Sequence, residues 1–309
     1  MIDISVVIPA YNAELTIANI LEDVLGIKNV EILVIDDGST DQTKEVIEGL
    51  AEQYSNIRLI LGTHSGASAS RNIGIEQANG TKIMFVDADD RINAEVVNAC
   101  LQENPQADMI AFPMNQTFNQ EEPTTIAVAK EERVGLMRNA LQLCNQFQKQ
   151  FQISAAPYSK IYETSFLHKN GLRFNEQLVI AEDMLFITTA MSHIASLRIE
   201  TAGFYQYEMN ENSVTHKMDL DIVKNAELFL ADLSRIVDQE TIQGKSADAL
   251  VRDSVRLIKQ KDVSNQELQK YDGYLKHTYG YAPNLLSIKR QVLFYLLKMK
   301  WYWIVRKLV

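Results

Sequence analysis

Over the first hundred residues, short apolar runs alternate with stretches whose apolar positions recur every three to four residues. Ile4 to Ile8 is apolar and β-branched, the composition of a strand buried on both faces. Pro9 to Asn12 interrupts it. Leu15, Ala18, Leu21, Val24 and Leu25 then mark one face of a helix that Asn12 is placed to cap. Ile32 to Ile35 predicts a second strand, ending at Asp36-Asp37-Gly38-Ser39. A second helix is expected over 40–54, with Asp41 capping it and Val46, Ile47 and Leu50 facing inward. A third strand follows at Ile57 to Leu61. The pattern then predicts a third helix at 68–79, with Gly80 as its C′ residue, and a fourth strand at 82–86. Such alternation with short connections implies an α/β fold with a mostly parallel, doubly wound sheet.

In sheets of this kind ligands bind beyond the carboxyl ends of the strands. Three polar loops fall there: Pro9-Ala10-Tyr11-Asn12, Asp36-Asp37-Gly38-Ser39 and Asp87-Ala88-Asp89-Asp90. Residues two apart on a strand point the same way, so Asp87 and Asp89 can aim two carboxylates at one point. Paired hard oxygens suit Mg²⁺ or Mn²⁺ held jointly with phosphate. An isolated Asp-x-Asp is more often a solvated turn; this one gains weight from the loops upstream.

Composition narrows the field modestly. A chain of 309 residues with 46% hydrophobic side chains fits one large domain or two smaller ones. The net charge of −10 argues against wholesale nucleic-acid binding. Cys100 and Cys144 lie far apart with no metal spacing and read as reduced thiols of a cytoplasmic protein. No basic n-region precedes the apolar strand at Ile4, so no signal peptide is expected. No apolar run approaches the length of a membrane span.

The motifs together resemble the family 2 glycosyltransferases of GT-A fold. The matching stretches are Ser5-Val6-Val7-Ile8-Pro9-Ala10-Tyr11-Asn12, Val34-Ile35-Asp36-Asp37-Gly38-Ser39-Thr40-Asp41, Gly66-Ala67-Ser68-Ala69-Ser70-Arg71-Asn72-Ile73-Gly74 and Phe85-Val86-Asp87-Ala88-Asp89-Asp90. The likeness continues through Pro157-Tyr158-Ser159-Lys160-Ile161-Tyr162, Gly171-Leu172-Arg173-Phe174 and Glu182-Asp183-Met184-Leu185-Phe186, and weakens after Lys217. It implies a nucleotide-sugar-binding half over 1–100 and an acceptor-binding half over 101–220; beyond it, the residues themselves predict a helical C-terminal region over 221–309.

The activity so implied is inverting and metal-dependent. A hexose or N-acetylhexosamine passes from a UDP-sugar to a hydroxyl of a lipid- or protein-linked glycan: a surface polysaccharide, a teichoic acid or a glycoprotein glycan. The resemblance assigns Tyr11 to stacking on uracil and Asp37 to accepting from the ring N–H. Pro9, Ala10, Asn12 and Glu14 would shape the nucleoside pocket. Arg71, on the first turn of the third helix, would reach the base or the diphosphate. Asp89 would ligate Mn²⁺ or Mg²⁺ directly, with Asp87 shared between metal and ribose and Ala88 beside the donor. Asp183 would be the general base, and Tyr158, Lys160 and Glu182 would line the acceptor side. The alternative for Glu182-Asp183 is ordinary helix capping, since acids suit a helix N-terminus; one residue can do both. His216 is either a third metal ligand or a solvated loop histidine, in a polar segment that reads as a lid. Glu208 stands where the family often has arginine, a departure that points to a different acceptor.

Residues 113–132 read as a loop or hairpin over the acceptor side. Leu136, Ala140, Leu143, Cys144, Phe147 and Phe151 form a helical core stripe, and 221–280 read as helical without a catalytic motif. From Ile288 onward six Lys and Arg mix with aromatic residues and no acid. An amphipathic helix there either lies on an anionic membrane, on the inner face of the cell membrane, or packs in the core or in a homo-oligomer. Two rival functions share parts of the pattern. A sugar-1-phosphate nucleotidyltransferase lacks its Gly-rich first loop here, and a non-catalytic partner subunit would not need Asp87, Asp89 and Asp183 together. A dehydrogenase is disfavoured because no Gly-x-Gly-x-x-Gly follows the first strand.

Overall fold

The computed structural model describes residues 2–114, 122–143, 154–208, 221–259 and 264–308. Strands β1 (Ile4–Ala10), β2 (Val30–Asp36), β3 (Ile57–Leu61) and β4 (Lys82–Phe85) run parallel in the order β3-β2-β1-β4. Helices α1 (Ile17–Leu25), α2 (Thr43–Gln53) and α3 (Ala67–Gln77) connect them. Beyond β4 come β5 (Arg91–Ile92), α4 (Ala94–Gln102), β6 (Met109–Ala111), β7 (Thr124–Ala127), α5 (Arg133–Ala140), β8 (Lys160–Glu163), α6 (Thr164–Lys169), α7 (Glu182–His193), β9 (Ser196–Ile199) and β10 (Tyr205–Gln206). Of these, β6 to β9 extend the sheet to eight strands, with β8 antiparallel between β4 and β6, then β9 and β7, while β5 and β10 pair with each other in a separate two-stranded sheet.

Alternate residues of the central strands feed two cores, as a strand buried on both faces requires. Val6, Ile8, Ile32 and Val34 pack with α1 and Ile47 of α2, whereas Val7, Leu33, Ile35 and Phe85 pack with α3, α5 and α7. The helices before and after the β1–β4 neighbourhood therefore lie on opposite faces, and the loops at the carboxyl ends of β1, β2 and β4 open into one crevice. A third core forms among α8 (Ile222–Leu233), α9 (Gln239–Lys259), α10 (Asn265–Thr278), α11 (Ile288–Lys298) and α12 (Tyr302–Leu308), around Leu230, Leu250, Leu275, Phe294 and Val305. Among the described residues no helix is long and apolar enough to cross a membrane.

Several local expectations need correction. Asn12 does not cap α1: Thr16 holds that place, and Asn12 adopts a left-handed conformation (φ 50°) whose side chain reaches the loop after β2. The helix therefore starts late and turns Ile17, Ile20, Leu21 and Val24 inward, leaving Leu15 86% exposed. Asp41 does serve the start of α2, accepting from the Thr43 N–H at 3.0 Å. Gly80 is not the C′ residue of α3, which ends at an extended Ala78. Its missing Cβ is required elsewhere, because a Cβ would stand 2.5 Å from the Ser5 nitrogen of β1. The stripe after Leu136 breaks at Ala140, where Gln142 turns left-handed (φ 58°); Leu143 is buried as expected, and 144–153 lie outside the described residues. Within 113–132, Thr124–Ala127 is neither loop nor hairpin but the edge strand of the main sheet, paired with β9. The basic tail is two helices rather than one.

Candidate active site

The loops after β1 and β2 are laced together by side chains. Asn12 Oδ1 accepts from the Thr40 N–H at 2.8 Å, and the Glu14 carboxylate accepts from the Gln42 N–H at 2.9 Å. These two residues hold the loops and are exposed rather than walling a closed pocket. Ala10 is buried and Pro9 nearly so. Asp37 is buried; its oxygens accept from Ser65 N–H (2.9 Å) and Gly66 N–H (2.6 Å), tying the loop before α3 to the end of β2. A carboxylate retains further acceptor sites after two such bonds. Gly66 takes φ 91°, which glycine tolerates without penalty. Tyr11 stands half-exposed above this floor, its ring 4.8 Å from that of His64, and His64 Nδ1 lies 3.1 Å from the Asp37 carbonyl oxygen.

Arg71 is the hub of the second half of the crevice. Its position on α3 buries the guanidinium, which donates to Asp87 Oδ1 at 2.8 Å, lies 3.8 Å from Glu182 Oε1 and sits 5.3 Å from the Phe174 ring centre. The Glu182 approach is an ion pair too long for a hydrogen bond. Among the described residues Arg71 Nε and Nη1 consequently find no hydrogen-bond partner, although both are buried. Burial opposes the Arg71 charge, but Asp87, Glu182 and Asp183 outweigh it and keep the guanidinium more firmly protonated than usual.

Ala181 enters α7 in the left-handed conformation (φ 69°), which sets Glu182 and Asp183 at the helix start. Asp183 Oδ1 accepts from the Met184 N–H at 2.6 Å. Burial pushes the Asp183 carboxyl above its ordinary range, with Asp87 adding to the rise and Arg71 opposing it. Burial, then Asp183, lifts Glu182 to about 7. Asp90 rises to about 6, chiefly by burial, although the Tyr205 hydroxyl and the Glu208 N–H both donate to it. Lys160, from β8, does not line an open cleft. It is buried, donates to the Ala156 carbonyl at 2.7 Å and feels Asp183, and burial lowers it to about 7. Tyr158 stacks on Tyr205 at 4.6 Å. Crowded carboxylates against few cations leave a site in which added positive charge is favoured.

Residues 5–153 match the family model described as glycosyl transferase family 2. The chain is 26% identical over 218 residues to the uncharacterized glycosyltransferase EpsJ of Bacillus subtilis, covering 69% of this chain and 62% of that protein. It is 28% identical over 214 residues to the poly(ribitol-phosphate) beta-N-acetylglucosaminyltransferase TarS of Staphylococcus aureus, covering 67% of this chain and 35% of TarS. The structure of TarS 1–349 in complex with UDP-GlcNAc superposes with a TM-score of 0.70 at 20% identity, over 96% of this chain and 88% of that one. Residues 5–153 thus carry a family 2 glycosyltransferase domain. The fold of the chain is GT-A with a C-terminal helical region. A more distant member of the same fold is the mannosyltransferase PcManGT of Pyrobaculum calidifontis in complex with GDP-Man and Mn²⁺, with a TM-score of 0.52 at 14% identity over 97% of this chain and 87% of that one. The alignments span less than two thirds of EpsJ and about a third of TarS.

The crevice brings together Arg71, Asp87, Tyr158, Glu182 and Asp183, with Lys160 buried near Asp183, Asp37 tied to the loop before α3, Tyr11 half-exposed and Asp89 half-buried beside Ala88. His216 lies outside the described residues, as does the rest of 209–220. Among the described residues no three His, Cys, Asp or Glu side chains cluster closely enough to hold an ion by themselves. Sequence reasoning missed Tyr205, whose hydroxyl bridges Asp90 and the Asp87 N–H (3.2 Å). It also missed His64 beneath Tyr11 and Asn72, which fastens the Phe174 backbone at 2.8 Å and 3.0 Å. Only the spacing of Tyr205 in its Tyr-x-Tyr segment gave a signal; the other two are paired through space.

Proposed function

We propose that the protein transfers a hexose or N-acetylhexosamine from a UDP-sugar to a hydroxyl of a surface glycan or teichoic acid, in the cytoplasm and with inversion. The observation that carries this reading is the convergence of Asp87, Glu182 and Asp183 on one buried, partly unsatisfied Arg71 at the carboxyl edge of the sheet. Orphaned guanidinium donors inside an acidic crevice suit an anionic ligand that arrives with its own cation, as a nucleoside diphosphate does.

The nucleoside would lie between Tyr11 and the floor at Asp37. Asp87 and Asp89 would hold Mn²⁺ or Mg²⁺, and two carboxylates leave positions for diphosphate oxygens. When bound, the ion would neutralise charge on the departing diphosphate. Arg71 would donate its unpaired N–H groups to the donor. Asp183 would take the proton from the acceptor hydroxyl as that oxygen bonds to the anomeric carbon and the bond to the diphosphate breaks. Displacement by one carboxylate-activated oxygen inverts the centre. The raised proton affinity of Asp183 suits a base whose partner is a weakly acidic hydroxyl, and neighbouring Lys160 would stabilise the carboxylate when charged. The UDP-GlcNAc complex of TarS and the Mn²⁺ complex of PcManGT support the donor and metal classes by analogy.

The test is UDP release from a panel of UDP-sugars with Mn²⁺ and with EDTA. One UDP-sugar should stand out, EDTA should abolish its turnover, and Asp89→Ala should lower the rate at least about a hundredfold. Full activity in EDTA would remove the metal from the reading, and release from no UDP-sugar would remove the donor.

A further inference from the structure

The last two helices bury one face and leave another open. Leu293, Phe294 and Leu297 of α11 and Tyr302 and Val305 of α12 belong to the helical core. Ile288, Val292 and Tyr295 of α11 and Met299 at its C-terminal cap, at helical spacing, are exposed, as are Trp301, Trp303 and Leu308. Ile288, Val292, Tyr295 and Met299 make one helical stripe, and no part of the described chain covers it or the exposed residues of α12.

Charge is sorted between the two faces. Arg290 and Lys298 are neutralised inward, by Asp248 and by Asp272 at 2.8 Å. Lys289, Lys300 and Lys307 are exposed, and Lys307 Nζ lies 5.4 Å from the Trp303 ring centre. Residues 288–309 contain no acid, in a chain of net charge −10. The elbow between the helices is unusual. Lys300 N–H donates to the Leu297 carbonyl and Trp301 N–H to the Leu296 carbonyl, both at 2.9 Å, with Lys300 at φ 59°. That helix-closing geometry normally takes glycine. Lysine there keeps an exposed basic side chain next to Trp301 in sequence despite the strain.

We propose that the outward face of α11 and α12 docks on an anionic lipid surface, its aromatic rings at headgroup depth and its lysines on lipid phosphates. Charge complementarity selects this occupant. A second copy of the chain meeting the same patch about a two-fold axis would set lysine against lysine with no acid between. The inference stands apart from the transferase reading, and either can fail alone.

Truncating the tail would strip core side chains, so point variants of the full chain are the appropriate probes. The chain has two tryptophans, both exposed in this tail, so its indole emission reports the tail alone. With vesicles of phosphatidylcholine containing roughly a third phosphatidylglycerol, the emission should shift to the blue and the protein should float. Binding should fall at least about tenfold when salt rises from tens to hundreds of millimolar, and pure phosphatidylcholine should bind far less. Ile288→Ser and Val292→Ser should each weaken binding. Lys300→Gly should weaken it about fivefold, the worth of one basic residue, while raising the melting temperature by relieving the elbow. An elbow of purely structural role would raise the melting temperature and leave binding unchanged, which would overturn the assignment. So would absence of flotation at low salt, or a dimer in light scattering that Val292→Ser dissociates.

Discussion

Glu182 offers a quantitative check on the crowding around Arg71. Its carboxyl is raised from 4.5 to about 7, so the folded chain holds this proton more tightly than the unfolded chain does. Ionisation therefore opposes folding. The penalty is nearly absent below pH 4.5, grows as pH rises through the window from 4.5 to about 7, and is constant above it. At about 1.4 kcal/mol per pH unit the shift amounts to roughly 3 kcal/mol at pH 8 and under about 1 kcal/mol at pH 5. Asp183 shares in the titration, so about 2 kcal/mol of difference between those two pH values is the realistic expectation. Glu182→Gln preserves the shape and removes the titration. The variant should be more stable than the parent at pH 8, with a melting temperature higher by roughly 3 °C, and close to it at pH 5. Thermal or urea melts at both pH values, in EDTA, measure this directly. Parallel pH profiles for variant and parent would refute the argument that burial holds this carboxyl near neutrality. Because Gln cannot repel Asp183, the acidic limb of the activity profile should also move to lower pH.

Asp183→Asn should leave UDP-sugar affinity, read by calorimetry, within a few-fold while lowering transfer by roughly 10²–10⁴. Surviving turnover with lost affinity would make Asp183 a helix cap. Tyr205→Phe removes a donor from buried Asp90 and an acceptor from the Asp87 N–H. It should reduce stability by about 1–3 kcal/mol in denaturant melts and raise the pH at which the acidic loop ionises. Gly80→Ala drives a methyl group against the Ser5 backbone of β1 and should destabilise by about 1–3 kcal/mol, with no effect on donor affinity per folded molecule.

The first hundred residues were legible because local and global signals agree there. Apolar runs of strand length alternate with helical spacing, and the three polar loops fall where parallel strands end. The errors lie where tertiary partners override local chemistry. Asn12 has the right side chain for a cap, yet a hydrogen bond to Thr40, which is remote in sequence, draws it away and shifts the inward face of α1 off Leu15. Gly80 sits where a helix-terminating glycine belongs, but the constraint on it comes from β1. The stripe ending at Phe151 carried no glycine or proline to signal the turn at Gln142. In the site, Asp87, Glu182 and Asp183 were identifiable one by one. That they share Arg71, and that Lys160 is buried under Asp183, depends on β8 inserting antiparallel beside β4, a pairing no local pattern encodes.

Ala181 adds a consequence for anyone adapting this molecule. An alanine held left-handed stores about 1–2 kcal/mol that glycine would release. A screen for heat resistance would thus be drawn to Ala181→Gly among the first substitutions. The same change gives the backbone freedom immediately before the pair of acids that α7 presents. Robustness selected at this position would then come at the expense of aim, and the sturdier variants would be slower ones.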